Sequence, residues 1–490
     1  MKVFIGVDIG TTGIRAGVYN EDFTLLGSGT GQSLIRRDSR NEIIQDPDEI
    51  YAESSSAVYR AVQNAGIDTG SVAALSFDGQ MAGIMGIDDD WKPCTPYDSW
   101  LDTRCSPQVE KIRQKAYKQV IEKTGNIPSF NHGPKILWWK QNEKSIFRKI
   151  KKFIQPSAYV AGKLCGLRAT DAFIDWTYLH FSGFADNRKL KWDKTLTRLF
   201  EIPEEKLPAI VSPYTVIGYT DKEESDLFCI PTGTPVAAGC GDTMSCFLGT
   251  GAVQSGIAID VAGTASVFAA ATERFTTDYD GMVYCCRSVL EDVWYTMSYI
   301  NGGGLNLEWF KDTFARDNDF DELDRAAQKL APGSDGLIFI PHLEGRGYPN
   351  DPGMRGLWQG FTRSHTLSHF YRSILEGTAY EYALYKHKIK SLSEMMFSVR
   401  TVAGGSKSDV WNQIKADVLN CRYCTINRED ISILGQALIA ASAAGYIDDV
   451  RDTVNKIIGI KKEYTPNPEH HKKYEAVIGR YKKNLENCKP

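Results

Sequence analysis

The 490 residues contain no stretch long and apolar enough to span a bilayer. The greasiest windows, Val253–Thr272 and Leu434–Tyr446, are short or broken by glycine and by Asp260. The beginning of the chain lacks the apolar core of a signal peptide, since Lys2 is followed by only five residues before Asp8. An excess of charge of one sign is missing as well. The 57 basic and 61 acidic side chains leave a formal net charge of −4. That balance gives no general pull toward nucleic acid or an anionic membrane, so neither is an expected partner.

Several chemical signatures are absent. There is no GxSxG elbow, no Walker A loop and no GxGxxG fingerprint, which excludes the P-loop and Rossmann nucleotide sites. Cys421 and Cys424 form one CxxC with no second pair at zinc-site spacing, and they read as buried thiols. His365 and His369 lie four apart, without HExxH or an obvious third ligand. The eleven cysteines are scattered and odd in number, which suits free thiols in a reducing cytoplasm. The basic run Arg148–Lys152 reads as a solvated helix end.

What is present is globular: 42% apolar and 24% charged residues, on a chain long enough for two large domains. The chain opens with a strand over Lys2–Ile9, a polar turn, then apolar runs at Ile14–Tyr19 and Phe23–Gly29, as in an antiparallel meander. Asp46-Pro47 starts a helix through Asn64, with Asp46 as N-cap. Val72–Phe77 is a further strand, so the expected class is α/β. An echo follows 252 residues later. Ile257–Thr264 repeats the pattern of Ile5–Thr12: apolar strand, Asp, and a Gly-Thr turn into a second strand, here Ser266–Ala271. The echo implies a duplicated domain, with residues 1–248 and 249–490 as the two parts. Glu469–Asn487 carries spaced apolar positions at Tyr474, Val477, Ile478 and Tyr481, and reads as an amphipathic closing helix.

The turn Gly10-Thr11-Thr12-Gly13 can expose backbone N–H groups, which together with threonine hydroxyls hold phosphate oxygens. Asp8 just before it is placed to hold Mg²⁺ through water. An ordinary hairpin uses the same residues, and the turn alone does not separate the two readings. The second turn at Gly263-Thr264 favours the phosphate reading.

With these pieces in view, the chain resembles the FGGY carbohydrate kinases nearly end to end, and among them the xylulokinases. Ser76-Phe77-Asp78-Gly79-Gln80-Met81 resembles the family's strand into Gly-Gln-Met. Trp100-Leu101-Asp102-Thr103-Arg104 has the Trp-x-Asp-x-Arg spacing. Lys135-Ile136-Leu137-Trp138 resembles the first family signature, with Trp139 and His132 atypical. Gly239-Cys240-Gly241-Asp242 resembles the Gly-x-Gly-Asp that carries the catalytic base. Gly356–Gly360 through His369 to Glu376 is similar to the second signature, with Phe361 a departure, and Ala403–Ser408 to the adenosine loop. Two departures stand out: Ala82 occupies the place of the family's sugar-contacting His, and Ala265 follows Thr264 where Ser is usual.

The resemblance implies two actin-like ATPase (ribonuclease H-like) domains with a cleft between them. It implies ATP as donor, Mg²⁺ as cofactor and a small sugar as acceptor, with a homodimer left open. Asp242 would take the proton from the attacking hydroxyl; the same residue could cap the helix expected from Thr243. Asp8, Thr11, Thr12, Gly263, Thr264, Gly303, Gly404, Gly405 and Asp409 would serve the nucleotide and its metal, with Asp8 the metal-side carboxylate. Gln80, Met81, Trp100, Asp102 and Arg104 would face the sugar. The implied reaction is D-xylulose to D-xylulose 5-phosphate. The alternatives are another ketose or polyol, such as ribulose, erythritol or glycerol, or a non-kinase actin-like ATPase. Closure on binding would exclude competing water. Small-angle scattering should therefore show nucleotide and sugar together compacting the protein more than either alone; no change in any liganded state would contradict this.

Overall fold

The computed structural model describes residues 1–37, 42–393 and 398–487. The chain forms two compact units that are not contiguous in sequence. The first comprises Met1–Val253, Cys286–Asp292 and Asp430–Ile457; the second comprises Gln254–Cys285, Val293–Glu429 and Ile458–Pro490. The first unit thus includes two segments from beyond the 248/249 division, chief among them the helix Ile431–Ala443.

The first unit is built on a six-stranded sheet. Its central strand Val3–Ile9 runs antiparallel to Gly13–Tyr19, which pairs antiparallel with Leu25–Gln32. On the other side Val3–Ile9 is parallel to Val72–Gly79, which is parallel to Pro235–Gly241. The strand Val216–Tyr219 closes that edge. Strands covered on both faces need near-continuous apolar sequence, and Val72–Gly79 is buried along its whole length. The third strand starts at Leu25 rather than Phe23, because Phe23 turns the chain with φ +56°.

The helix Pro47–Ala65 begins as the sequence predicts: Asp46 accepts from the backbone N–H of Asp48 and Glu49, and Pro47 takes the first position. It lies on the alternating glycine face of Leu25–Gln32. A Cβ on Gly27 would sit 2.3 Å from Ala65 N, and one on Gly29 would sit 2.2 Å from Ala57 O.

The second unit repeats this connectivity in a seven-stranded sheet. Ile257–Ala262 is antiparallel to Ser266–Thr272, which is antiparallel to Trp294–Ile300. Ile257–Ala262 is also parallel to Ser398–Val402, itself parallel to Arg422–Ile426. The closing helix runs over Pro468–Asn487. Its Tyr474 and Tyr481 hydroxyls donate to the buried carboxylates of Glu376 (2.9 Å) and Glu381 (2.7 Å) on the helix Leu367–Ser393. Cys421 and Cys424 are buried free thiols.

The duplicated strands treat their aspartates differently. Asp260 is fully buried, with Lys415 Nζ at 2.5 Å and hydrogen bonds from Tyr382 (2.8 Å) and Thr401 (3.2 Å). Lys415 also stands 3.8 Å from the Trp411 ring centroid. This carboxylate is wholly engaged by the protein. Lys415→Ala would leave a buried charge unpaired, a change that costs about 3–5 kcal/mol. A lowered denaturant midpoint for the second unit should report that loss; an unchanged midpoint would show the pair to be energetically idle.

Candidate active site

Asp8 lies one residue before the end of its strand, whereas Asp260 lies two residues before the end of the corresponding strand in the second unit. In register beside Asp8 on Val72–Gly79 is Asp78, and beside Asp78 on the next strand is Cys240. Two residues beyond Cys240, Asp242 is the first residue of the helix Asp242–Gly249, with Gly241 as its N-cap. Asp242 therefore does not cap that helix; its Oδ1 accepts from Thr243 N at 2.6 Å and from Thr243 Oγ1 at 3.1 Å. Parallel strands thus bring three carboxylates to one end of the sheet, and Asp78 is completely buried.

Burial, then the charge of Asp8, pushes Asp242 up to about 7. Burial, then the charges of Asp8 and Asp242, drives Asp78 well above the carboxylate range. Asp8 Oδ2 accepts a 2.8 Å hydrogen bond from Ser432 Oγ.

The turn after Asp8 closes with Gly10 N donating to Gly13 O at 3.1 Å. Gly10 is required there, because a Cβ would come 2.8 Å from Gly13 O. Thr11 connects the turn to the sugar-side candidates. Trp100 Nε1 donates to Thr11 Oγ1 at 2.9 Å, and Thr11 Oγ1 donates to Gln80 Oε1 at 3.2 Å. Gln80 Nε2 in turn donates to Gln45 Oε1 at 2.7 Å. Trp100 is 40% exposed, so its ring presents a face to solvent beside the turn. Met81 lies against Gly241, where a Cβ would come 2.4 Å from its methyl carbon. Ala82 holds a left-handed φ of +62°.

Asp102 and Arg104, expected on the sugar side, are joined to one another and to neighbouring carboxylates. Arg104 Nε binds Asp102 at 2.8 Å, Nη2 binds Asp98 at 2.7 Å, and Nη1 binds Glu42. Its guanidinium stacks 4.4 Å from the Trp138 ring centroid. Asp102 also accepts from Ile43 N, and Lys135 Nζ holds the carbonyls of Ser99 and Asp102 at 2.9 Å each. These polar atoms are committed to one another, and together they hold the loop that carries Trp100. The first-signature lysine has the same task.

A segment the sequence reading passed over braces the carboxylate strands. Thr177 Oγ1 accepts from Gly241 N at 2.9 Å, while Thr177 N and Oγ1 both donate to Asp175. Tyr178 Oη donates to Gly79 O at 2.9 Å, with Cys240 O at 3.4 Å. The Gly79–Gln80 and Cys240–Gly241 peptides are therefore pinned by neighbouring residues of one short helix, Trp176–Phe181. The Asp-x-Thr pattern before that helix is the available sequence signal.

In the second unit, the Gly263-Thr264 turn meets the start of the helix Gly303–Phe314. Gly304 N donates to Gly263 O at 2.9 Å, and Leu305 N to Thr264 O at 3.2 Å. Gly303 must lack a side chain, because a Cβ would fall 1.6 Å from Ser266 Oγ. Thr264 is exposed. Gly405 packs against Ala262 and Trp411, which sets the Gly404–Lys407 turn beside the same hairpin. The two oxygens of Asp409, expected on the nucleotide side, take Lys462 Nζ (2.6 Å) and Tyr464 Oη (2.5 Å), fastening its helix to the strand Ile460–Tyr464.

These features define an α/β phosphotransferase architecture, and the fold is shared with a solved xylulose kinase from Lactobacillus acidophilus. That structure aligns with a TM-score of 0.93 at 23% identity, over 99% of this chain and 98% of the other. The family models for carbohydrate kinases of the FGGY type match residues 3–249 (N-terminal domain) and 258–444 (C-terminal domain). The chain belongs to the FGGY family of carbohydrate kinases, phosphotransferases with an alcohol acceptor. A xylulose kinase of Bacillus subtilis (strain 168) is 25% identical over 488 residues, covering 98% of this chain and 96% of its own length. A gluconokinase of the same organism is 26% identical over 489 residues, covering 97% and 94%.

The carboxylate crowding is testable without turnover. In metal-free protein, Asp242 should titrate near 7 by carboxyl infrared spectroscopy, and Asp8→Asn should lower that value by removing a like charge. The unfolded chain releases this proton near about 3.9, so its contribution to native stability falls as pH rises from there through about 7. An Asp242 that titrates in the ordinary carboxylate range would contradict the crowding.

Proposed function

We propose that this carbohydrate kinase transfers the γ-phosphoryl group of ATP to a hydroxyl of a ketopentose, foremost D-xylulose, giving D-xylulose 5-phosphate. The observation that carries the reading is Asp242: a partly exposed carboxylate, held near 7, at a strand end beside a second carboxylate and a phosphate-type turn. A sugar hydroxyl attacks phosphorus well only if its proton has an acceptor, and a base poised near neutrality suits that role. Asp242 takes the proton onto its carboxylate. Gln80, Met81 and the Trp100 face orient the sugar. The Gly10–Gly13 turn with Thr11 and Thr12 receives the transferred phosphoryl group. Gly263 and Thr264 hold the remaining phosphates, Gly404 and Gly405 let the base lie against backbone, and Gly303 forms the other side of the base pocket.

The residues present fit Mg²⁺. Asp8 and Asp242 offer hard oxygen donors, and no cation appears among the groups acting on Asp78 or Asp242. No cluster of three or more ligating side chains is arranged as a metal cage among the described residues. Mg²⁺ in kinases typically uses one or two carboxylates, water and substrate phosphates instead. Asp8 would hold it, and when bound it supplies neutralisation of phosphate charge.

Two observations bear on the acceptor. Ala82 leaves out the sugar-contacting His of the xylulokinases, which keeps another ketose or polyol as the second reading. Arg104 has its guanidinium committed to three carboxylates, which supports a neutral acceptor over an acidic one such as gluconate. We place the protein in the cytoplasm, with a homodimer as the assembly for sedimentation to test. No helix among the described residues is long and apolar enough to cross a membrane.

ADP release measured across ketoses, polyols and gluconate should be sugar-dependent, highest with D-xylulose, and negligible without acceptor. Preference for another ketose or polyol would move the specificity to the second reading. ATP hydrolysis indifferent to every sugar would remove the kinase assignment.

A further inference from the structure

The helix Ile431–Ala443 comes late in the chain, yet it is seated against the first strand with unusual closeness. A Cβ on Gly6 would fall 1.9 Å from Ile433 O, and one on Gly249 would fall 1.9 Å from Ile431 O. A Cβ on the helix's own Gly435 would fall 2.3 Å from Ser245 O. Glycines on three separate segments are therefore needed for the helix to sit where it does. Buried polar bonds then lock it in rotation. Gln436 Oε1 accepts from Ser76 Oγ at 2.6 Å. Gln436 Nε2 donates to Cys240 Sγ at 3.1 Å and to Ser245 Oγ at 3.0 Å. Ser245 Oγ donates to Ser432 O at 2.7 Å. One turn of helix thus grips the Asp78 strand, the Asp242 strand and the helix that begins at Asp242. The free end of this arrangement is the Ser432 hydroxyl, which donates to Asp8 Oδ2 at 2.8 Å.

Asp260, one position further from its own turn, is met instead by a buried lysine and two hydroxyls. Asp8 receives a neutral hydroxyl, which orients the carboxylate and leaves its charge uncancelled.

We propose that Ser432, fixed by the Gln436 network, is a positioning residue that orients Asp8 toward the catalytic Mg²⁺. This rests on the reading of Asp8 as the metal-side carboxylate. Hydrogen bonds to a ligating carboxylate typically change metal affinity by about 10–100-fold when removed. The test measures Mg²⁺ binding to the ADP-saturated protein by calorimetry, alongside steady-state kinetics and thermal melting. Ser432→Ala should weaken Mg²⁺ binding about tenfold and raise the Mg²⁺ needed for half-maximal rate in parallel. KM for the sugar should stay within about twofold of wild type, as the contact is remote from sugar binding. Ser432→Thr keeps the hydroxyl and should restore Mg²⁺ affinity. Asp8→Asn separates the two claims. If Asp8→Asn weakens Mg²⁺ binding and Ser432→Ala does not, the Ser432 assignment is overturned and the role of Asp8 stands. If neither substitution changes it, the role of Asp8 falls first. A Ser432→Ala protein that melts lower but binds Mg²⁺ normally also overturns the assignment, since that is the signature of packing alone.

Discussion

Carboxylates at the ends of adjacent strands repel one another, and a fold that keeps Asp8, Asp78 and Asp242 together carries an electrostatic cost. The rest of the first unit can be understood as what holds that arrangement in place. Parallel pairing sets Asp8 beside Asp78, and the helix start after Gly241 adds Asp242. The bracing by Thr177 and Tyr178 pins the Gly79–Gln80 and Cys240–Gly241 peptides. The helix Ile431–Ala443 grips the same strands from another side. The consequence is an Asp242 carboxyl whose proton affinity burial and the charge of Asp8 raise toward neutrality.

The comparison between the two units sharpens this. Both have the same strand connectivity and an aspartate near the turn end of the first strand, offset by one residue between the two. In one copy a lysine neutralises it, and a buried pair of that kind serves only the fold. In the other copy the partner is a serine. The neighbouring helix differs as well: Lys415 of Asp409–Leu419 meets Asp260, and Ser432 of Ile431–Ala443 meets Asp8. Family membership alone does not name the sugar. The fold is held by features shared along the chain, and relatives of similar identity carry both xylulose kinase and gluconokinase names.

Much of this was legible in the residues. The opening meander, the Asp46-Pro47 helix start and the Gly-Thr turns are local signals, and the two turns repeat at a separation that betrays the duplication. The motif order carried the family. Other parts depend on contacts between residues far apart in sequence. Arg104 reads as ligand-facing, and its partner Glu42 lies 62 residues earlier. Asp409 reads as nucleotide-facing, and its partner Lys462 lies 53 residues later. Ser432 lies 424 residues from Asp8, and no periodicity connects them. The strand-end aspartates were visible as letters, but their proton affinity comes from burial that only the folded chain creates.

The most direct test of the account is a single-turnover measurement with Asp242→Asn, which keeps the side-chain volume and removes the base. ATP and sugar binding should persist at near wild-type affinity, while the rate of phosphoryl transfer falls by about 10²–10⁴-fold. Transfer at an unchanged rate in a folded Asp242→Asn protein would contradict the central claim.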